Sequence, residues 1–261
     1  MITATFKRSF VAALALAAIG LGPRADASTI VDTQLAMGVD VSGSVSAANY
    51  NLQMNGYIAA FENASIRNAI TNSSNGIATM LYHWSGNNQQ SVVADWAHLT
   101  DAASIDAFVT TLQAHVRSFF GLTAIGSAIS YAVDSIANNG FDSTRKVIDI
   151  SGDGTNNNGI SSAAGRDIAV AEGITVNGLA IGSPALLTYF QNNVIGGDGA
   201  FALGVSQFED FEDAVIRKIR AEITGEDPNG VAPIPLPAAG WLLLTALGGL
   251  GVYSRRRRQA A

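Results

Sequence analysis

Five oxygen-bearing side chains, in three separate stretches of the sequence, could together hold a hard metal ion. Asp40, Ser42 and Ser44 occupy alternate positions in the run Asp-Val-Ser-Gly-Ser, so that several oxygens can project toward one point. Thr123 and Asp153 add a hydroxyl and a second carboxylate from much later in the chain. Hard cations such as Mg²⁺ prefer oxygen ligands in a near-octahedral array. The residue types therefore predict a site for a divalent cation.

The elements around these residues alternate between short apolar strands and amphipathic helices. This alternation predicts an α/β fold, doubly wound, with a mostly parallel central sheet of about six strands and helices on both faces. The turn-rich Ser-Gly-Asn-Asn between two of the strands predicts one antiparallel hairpin. Strands are predicted at residues 34–41, 77–84, 90–96, 146–151, 174–181 and 201–205, and helices at 47–63, 104–116, 123–138, 162–172 and 208–223.

The predicted sheet places all five side chains at one edge. Asp40 lies at the end of the first strand, Asp153 follows the strand at 146–151, and Thr123 opens a helix. Ligands of open α/β sheets bind at the carboxyl ends of the strands. Taken singly, a serine or threonine here is better explained as a helix N-cap, and an aspartate as an ordinary loop acid. Convergence of three loops favours a shared site.

This arrangement resembles the von Willebrand factor A (VWA) family. That family's metal-ion-dependent adhesion site (MIDAS) uses Asp-x-Ser-x-Ser, then a distant Thr and a distant Asp, and all five positions match here. The resemblance covers roughly residues 30–223, and the Ser-Gly-Asp-Gly-Thr-Asn-Asn run at 151–157 looks like a bacterial branch of the family rather than its animal adhesion receptors.

The resemblance implies a role for each residue. Ser42 and Ser44 would bind Mg²⁺ or Mn²⁺ directly, and Thr123 directly or through water. Asp40 and Asp153 would act mainly through water and hydrogen bonds to the hydroxyls. A metal with neutral ligands stays electrophilic and can accept a carboxylate from a protein or extracellular-matrix partner. The implied function is therefore metal-dependent binding of the adhesion type.

The first 27 residues are typical of a signal peptide. Lys7 and Arg8 precede an uncharged apolar run at 10–21, and Ala25-Asp26-Ala27 gives the small-x-small cleavage pattern. We therefore expect export to the periplasm, the cell surface or the medium, with the mature VWA-type domain spanning 28–224.

The C-terminal end carries a second targeting pattern. A Pro/Gly linker at 225–237 precedes an apolar transmembrane segment predicted at 238–254 and a basic cytoplasmic tail at 255–261. Together they resemble the sorting tails of exported bacterial proteins handled by exosortases, with Ile-Pro-Leu-Pro-Ala at 234–238 close to the Val-Pro-Leu-Pro-Ala variant. This resemblance implies an exosortase-type processing enzyme as a partner and cleavage near Pro237. A plain inner-membrane anchor is the alternative.

Charge and missing motifs exclude several functions. The 27 N-terminal residues hold three basic groups and one acidic group, and residues 238–261 hold four basic groups, which leaves 8 basic against 20 acidic groups between them, a net charge of −12. Such a domain repels nucleic acid. The chain has no cysteine and hence no thiol chemistry. It also lacks the Gly-x-Ser-x-Gly, phosphate-loop and His-Glu-x-x-His motifs, so we expect a binding protein rather than an enzyme.

Two alternatives remain open from the sequence: a structural envelope or matrix protein with a fold-stabilising metal, and a metal-assisted hydrolase. Asp149 is a separate question, because it interrupts an apolar strand in Val-Ile-Asp-Ile. We expect it to be buried and hydrogen-bonded to loop N–H groups or a hydroxyl near the site, without binding the metal.

Overall fold

The structure is a computed structural model that describes residues 28–229. The strands are β1 Thr29–Ile30, β2 Thr33–Asp40, β3 Ile77–Trp84, β4 Gln90–Leu99, β5 Phe141–Asp142, β6 Arg145–Gly152, β7 Thr175–Ile181 and β8 Ala202–Val205. The helices are α1 Ala47–Glu62, α2 Ala64–Thr71, α3 Ala102–Gln113, α4 Ile125–Ala137, α5 Ser162–Ala171, α6 Pro184–Asn193 and α7 Phe211–Thr224.

Six strands form the central sheet in the order β4-β3-β2-β6-β7-β8. All neighbours in it are parallel except β3 and β4, which form an antiparallel hairpin. β1 and β5 pair separately as a short two-stranded sheet. The predicted fold class and the single antiparallel hairpin are confirmed.

Two hydrophobic clusters cover the two faces of this sheet. On one face α1, α2, α3 and α7 pack against side chains such as Leu35, Met37 and Val39 of β2. On the other face α4, α5 and α6 pack against side chains such as Ala36 of β2 and Ile148 of β6. β2 is buried along its whole length, as expected for a central parallel strand with helices on both sides.

The strand order reverses at β2. The chain runs outward from β2 through β3 to β4, and then returns to the other side of β2 with β6. The crevice at the carboxyl ends of β2 and β6 is thus the topological switch point, where open α/β sheets bind their ligands. Asp40 ends β2, and Asp153 directly follows β6.

Two helices were absent from the sequence prediction. A break at Asn63 separates α1 from α2, because Asn63 Oδ1 accepts the Ser65 N–H at 2.9 Å and starts a new helix. α6 begins after Ser183, whose Oγ accepts the Leu186 N–H, and Pro184 occupies its first turn. α4 begins at Ile125, so Thr123 lies in the preceding loop and not in the helix.

Several predictions concern residues that the structure does not describe. The signal peptide at 1–27, the sorting motif at 234–238, the membrane segment at 238–254 and the basic tail at 255–261 all lie outside residues 28–229. Inside that range, no helix combines the length and the apolar character needed to cross a bilayer.

Candidate metal centre

Three loops meet at the carboxyl ends of β2 and β6. The first loop, residues 41–46, joins β2 to α1, the second, residues 114–124, joins α3 to α4, and the third, residues 153–161, joins β6 to α5. The Gly43 N–H donates to the Gly121 carbonyl oxygen at 2.8 Å, which ties the first loop to the second. Each loop carries at least one of the five predicted site residues.

Four of those residues form one hydrogen-bonded chain. The Ser42 N–H donates to Asp40 Oδ1 at 2.8 Å, and Ser44 Oγ donates to Asp153 Oδ1 at 2.6 Å. Ser42 Oγ and Ser44 Oγ lie 3.0 Å apart. Either hydroxyl can be the donor in that contact. Hydroxyl oxygens that meet here beside two carboxylates are hard ligands of the kind that a divalent cation prefers.

Thr123 is brought to the same place from the second loop. Its side chain is buried. A Cβ added to Gly154, the neighbour of Asp153, would lie 3.7 Å from Thr123 Oγ1, so the threonine hydroxyl faces the third loop. The structure therefore gathers all five predicted residues around the switch point.

Asp40 brings a buried carboxyl group to the site. Its side chain is fully buried, and among the described residues Oδ2 has no hydrogen-bond partner. Burial raises the pKa of Asp40 to about 7; the Ser42 N–H opposes this shift, and the charge of Asp153 adds to it. A buried carboxylate oxygen without a partner costs free energy that a bound cation would recover.

The space beside Asp40 Oδ2 is narrow at Gly152. A Cβ on Gly152 would approach Asp40 Oδ2 to 3.1 Å and the Trp84 ring to 3.3 Å. Within residues 28–229, no three His, Asp or Glu side chains form a metal-binding group on their own. The donor set consists of hydroxyls with two carboxylates, and such oxygen donors fit a hard divalent cation.

An asparagine cluster in the third loop, residues 156–158, positions Thr123. Asn157 Oδ1 accepts the Thr123 N–H at 2.9 Å, and the Asn157 N–H donates to the Thr123 carbonyl oxygen at 2.8 Å. Asn156 Oδ1 accepts the Gly126 N–H at 3.2 Å, so it caps α4, which has no side-chain cap of its own. In the sequence this run stands out only through its resemblance to a bacterial branch of the VWA family, and no role was predicted for it.

Arg117 is a further residue for which the sequence predicted no role. Its Nη2 donates to the carbonyl oxygens of Val41 at 3.0 Å and Ser42 at 2.8 Å, and its Nε donates to the Phe119 carbonyl oxygen at 3.0 Å. One guanidinium therefore joins the first and second loops. It satisfies two carbonyl groups that immediately follow Asp40, where the chain leaves the sheet.

Asp149 is buried, as predicted, and its nearest partner is a lysine rather than the expected loop N–H group or hydroxyl. Lys218 Nζ of α7 lies 2.6 Å from Asp149 Oδ1, and both side chains are fully buried. The same ammonium contacts Glu222 Oε1. Asp149 faces α7 because Val147, Asp149 and Ser151 share the strand face opposite to Ile148 and Ile150. A buried carboxylate requires a charged or polar partner, and a lysine on the covering helix supplies it.

Solved structures with a similar fold include adhesion and matrix proteins. Proximal thread matrix protein 1 (PTMP1) from the mussel byssus matches with a TM-score of 0.56 and 18% identity over 76% of this chain and 47% of its own. PTMP1 with a zinc-occupied MIDAS motif matches with a TM-score of 0.55 and 15% identity, over 75% and 48%. The pilus adhesin SpaC from Lactobacillus rhamnosus GG matches with a TM-score of 0.55 and 14% identity, over 74% and 30%.

These likenesses concern the fold, since the identities are low and the matched part is about half or less of each neighbour's length. No curated protein sequence matches the chain. The family model for DUF1194, described as a protein of unknown function, matches residues 30–227. The match covers most of the sequence, and the chain therefore belongs to the DUF1194 family.

Proposed function

We propose that this chain is an exported binding protein that holds one divalent cation, Mg²⁺ or Mn²⁺, and engages a carboxylate of a protein or matrix partner through it. Asp40, Ser42, Ser44, Thr123 and Asp153 would hold the cation. The observation that carries the proposal is the fully buried Asp40 carboxylate, whose Oδ2 has no hydrogen-bond partner within residues 28–229.

The ligand chemistry follows from the charges of the donors. The direct ligands would be neutral hydroxyls, because Asp40 and Asp153 would act mainly through water and through hydrogen bonds to those hydroxyls. A cation held in this way retains affinity for a further anionic ligand. The fold neighbours give independent support, because one has a zinc-occupied MIDAS motif and another is a pilus adhesin.

A binding role fits the site better than hydrolysis does. His83 Nδ1 contacts Ser118 Oγ at 3.1 Å, which is the geometry of a base beside a nucleophile. Burial, however, lowers the pKa of His83 to about 4, with His115 and Arg117 adding to the shift. A histidine with that pKa is a weak general base at neutral pH. We therefore assign no catalytic step to this pair.

Calorimetry with Mg²⁺ and Mn²⁺ tests the metal. We expect the full chain, purified in detergent, to bind one ion, and Asp40→Ala or Ser42→Ala to abolish binding while the circular dichroism spectrum is retained. Bound metal should stabilise the fold by about 2.7 kcal/mol at a concentration of 100 times Kd. Asp106→Ala, which makes the same chemical change on the exposed face of α3, is the matched control and should bind normally. Equal metal affinity in the wild type and Asp40→Ala would refute the assignment.

A pull-down from envelope fractions distinguishes a partner-binding role of the metal from a purely structural one. Retention of a partner in Mg²⁺, and its release by a chelator, is the result expected for an adhesion-type domain. A metal-dependent rise in melting temperature with no retained partner would instead favour a structural envelope or matrix protein. Export, the membrane segment at 238–254 and exosortase processing remain part of the proposal and depend on residues outside the described range.

A further inference from the structure

The second loop, which contacts the first loop at Gly43, exposes three large apolar side chains. Val116 is 79% exposed, Phe120 is 70% exposed and Leu122 is 55% exposed. We call these three residues the apolar clasp. Single exposed apolar residues are common on proteins, whereas several that come together on one loop make a candidate binding surface.

The apolar clasp is held against the first loop, residues 41–46. Arg117 bonds to the carbonyl oxygens of Val41 and Ser42, and its guanidinium carbon lies 3.9 Å from the centre of the Phe120 ring. Gly121, between Phe120 and Leu122, accepts the Gly43 N–H. The Phe120 ring thus packs against the Arg117 guanidinium, and the backbone next to it is hydrogen-bonded to the first loop, while the ring remains exposed. Preorganised aromatic side chains of this kind are typical anchors of protein interfaces.

Charge decides what occupies this surface. The segment between the two predicted targeting regions carries a net charge of −12, so a second copy of the chain and an anionic membrane are both repelled. A bound cation and the guanidinium of Arg117 would concentrate positive charge at this pole. An acidic group with an apolar neighbour complements both features at once.

We propose that the apolar clasp binds a large apolar side chain adjacent in sequence to the carboxylate residue of a protein partner. The inference rests on the proposed function, because the cation is what places the carboxylate beside the clasp. It assigns specificity to Phe120 and Leu122, whereas the five metal-site residues supply only the affinity for an acid.

Selection of displayed random hexapeptides on the immobilised full chain in Mg²⁺ tests this. We expect enrichment of an Asp or Glu directly next to Leu, Ile, Phe or Trp, and loss of these peptides on chelation. A synthetic peptide of the selected sequence should bind about tenfold more tightly than its version with serine at the apolar position, because the apolar side chain and the clasp remove each other's surface from water. In Phe120→Ser/Leu122→Ser this ratio should fall below about threefold.

Ile168→Ser/Val170→Ser is the matched control, since both of these residues are exposed apolar side chains on α5. It should keep the wild-type ratio, and both double variants should keep the wild-type Mg²⁺ affinity. Selection of acidic peptides without an apolar neighbour, or an unchanged ratio in Phe120→Ser/Leu122→Ser, would overturn the clasp and leave the proposed function standing. Selection without any metal-dependent acidic residue would overturn both.

Discussion

The buried cluster of Asp149, Lys218 and Glu222 should make the stability of the fold depend on pH. Lys218 Nζ contacts both carboxyl groups, and Asn177 Nδ2 donates to Glu222 Oε1 at 3.1 Å. Glu222 Oε2 has no hydrogen-bond partner among the described residues. One ammonium group cannot neutralise two carboxylates, so the cluster holds surplus negative charge unless one carboxyl group keeps its proton.

The direction of this pH dependence follows from the pKa of Glu222. Burial, more than the charge of Asp149, raises the pKa of Glu222 from 4.5 to about 7. The folded protein therefore keeps a proton that the unfolded chain releases between pH 4.5 and 7. The contribution of Glu222 to the free energy of unfolding is complete below that window and falls as pH rises through it. At about 1.4 kcal/mol per pKa unit, the loss amounts to about 3 kcal/mol.

Glu222→Gln removes the titration and keeps one oxygen for Lys218 and Asn177. Urea unfolding, followed by circular dichroism from below to above this pH window, should show that the wild type loses about 3 kcal/mol more than Glu222→Gln. Glu226→Gln makes the same chemical change in an exposed ion pair with Arg220 and should follow the wild-type curve. Parallel curves for the wild type and Glu222→Gln would show that Glu222 is already ionised in the folded state, and the argument would fail.

Three further predictions address the site, the packing and the tail. Asn157→Ala should weaken Mg²⁺ binding at least several-fold in calorimetry, because the Thr123 N–H loses its acceptor, Asn157 Oδ1. Asn157→Asp keeps an acceptor oxygen and should restore the affinity. Equal affinity in all three proteins would show that Asn157 does not position Thr123 for the metal. Gly126→Ala places a Cβ 2.3 Å from the Ser161 carbonyl oxygen and should cost about 1–3 kcal/mol in urea unfolding, so an unchanged midpoint would argue against this close contact of α4 with the start of α5. Mass spectrometry of the protein from its native envelope should show a C-terminus near Pro237, and an intact Ala261 would favour a simple anchor.

The sequence predicted the parts of the fold that depend on strong local patterns. The strands β2 and β3 are rich in apolar residues, and β6 carries the apolar residues Val147, Ile148 and Ile150. The predicted bounds of all three strands differ from the observed ones by a residue or so. α6 was missed because it buries only Leu186 and Phe190, too narrow an apolar face for a periodicity argument. Its Ser183-Pro184 start was the available signal, since a capping serine before proline commonly begins a helix.

The convergence of the five candidate residues was predictable, because their spacing places them at the carboxyl ends of neighbouring strands. Arg117 and Asn157 were not, because each acts through backbone groups of another loop, and no local pattern records such contacts. The pairing of Asp149 with Lys218 was hidden for the same reason, since it joins β6 to a helix 69 residues later. The sequence could show that a buried carboxylate needs a partner but not which residue supplies it.

The ends of the described chain lie far from the candidate metal centre, and this separation bears on how the protein would present the site to a partner. Thr29 of β1 bonds to the Gly140 carbonyl oxygen just before β5, and Arg145, the first residue of β6, donates to the carbonyl oxygen of Glu222 near the end of α7. Both ends of the described chain thus lie near the amino end of β6, whereas Asp153 follows its carboxyl end. The eight residues of β6 separate the two poles by about 25 Å. A chain held at a membrane through the residues after 229 would therefore present its candidate metal centre away from the attachment, which is the orientation that binding of an external partner requires.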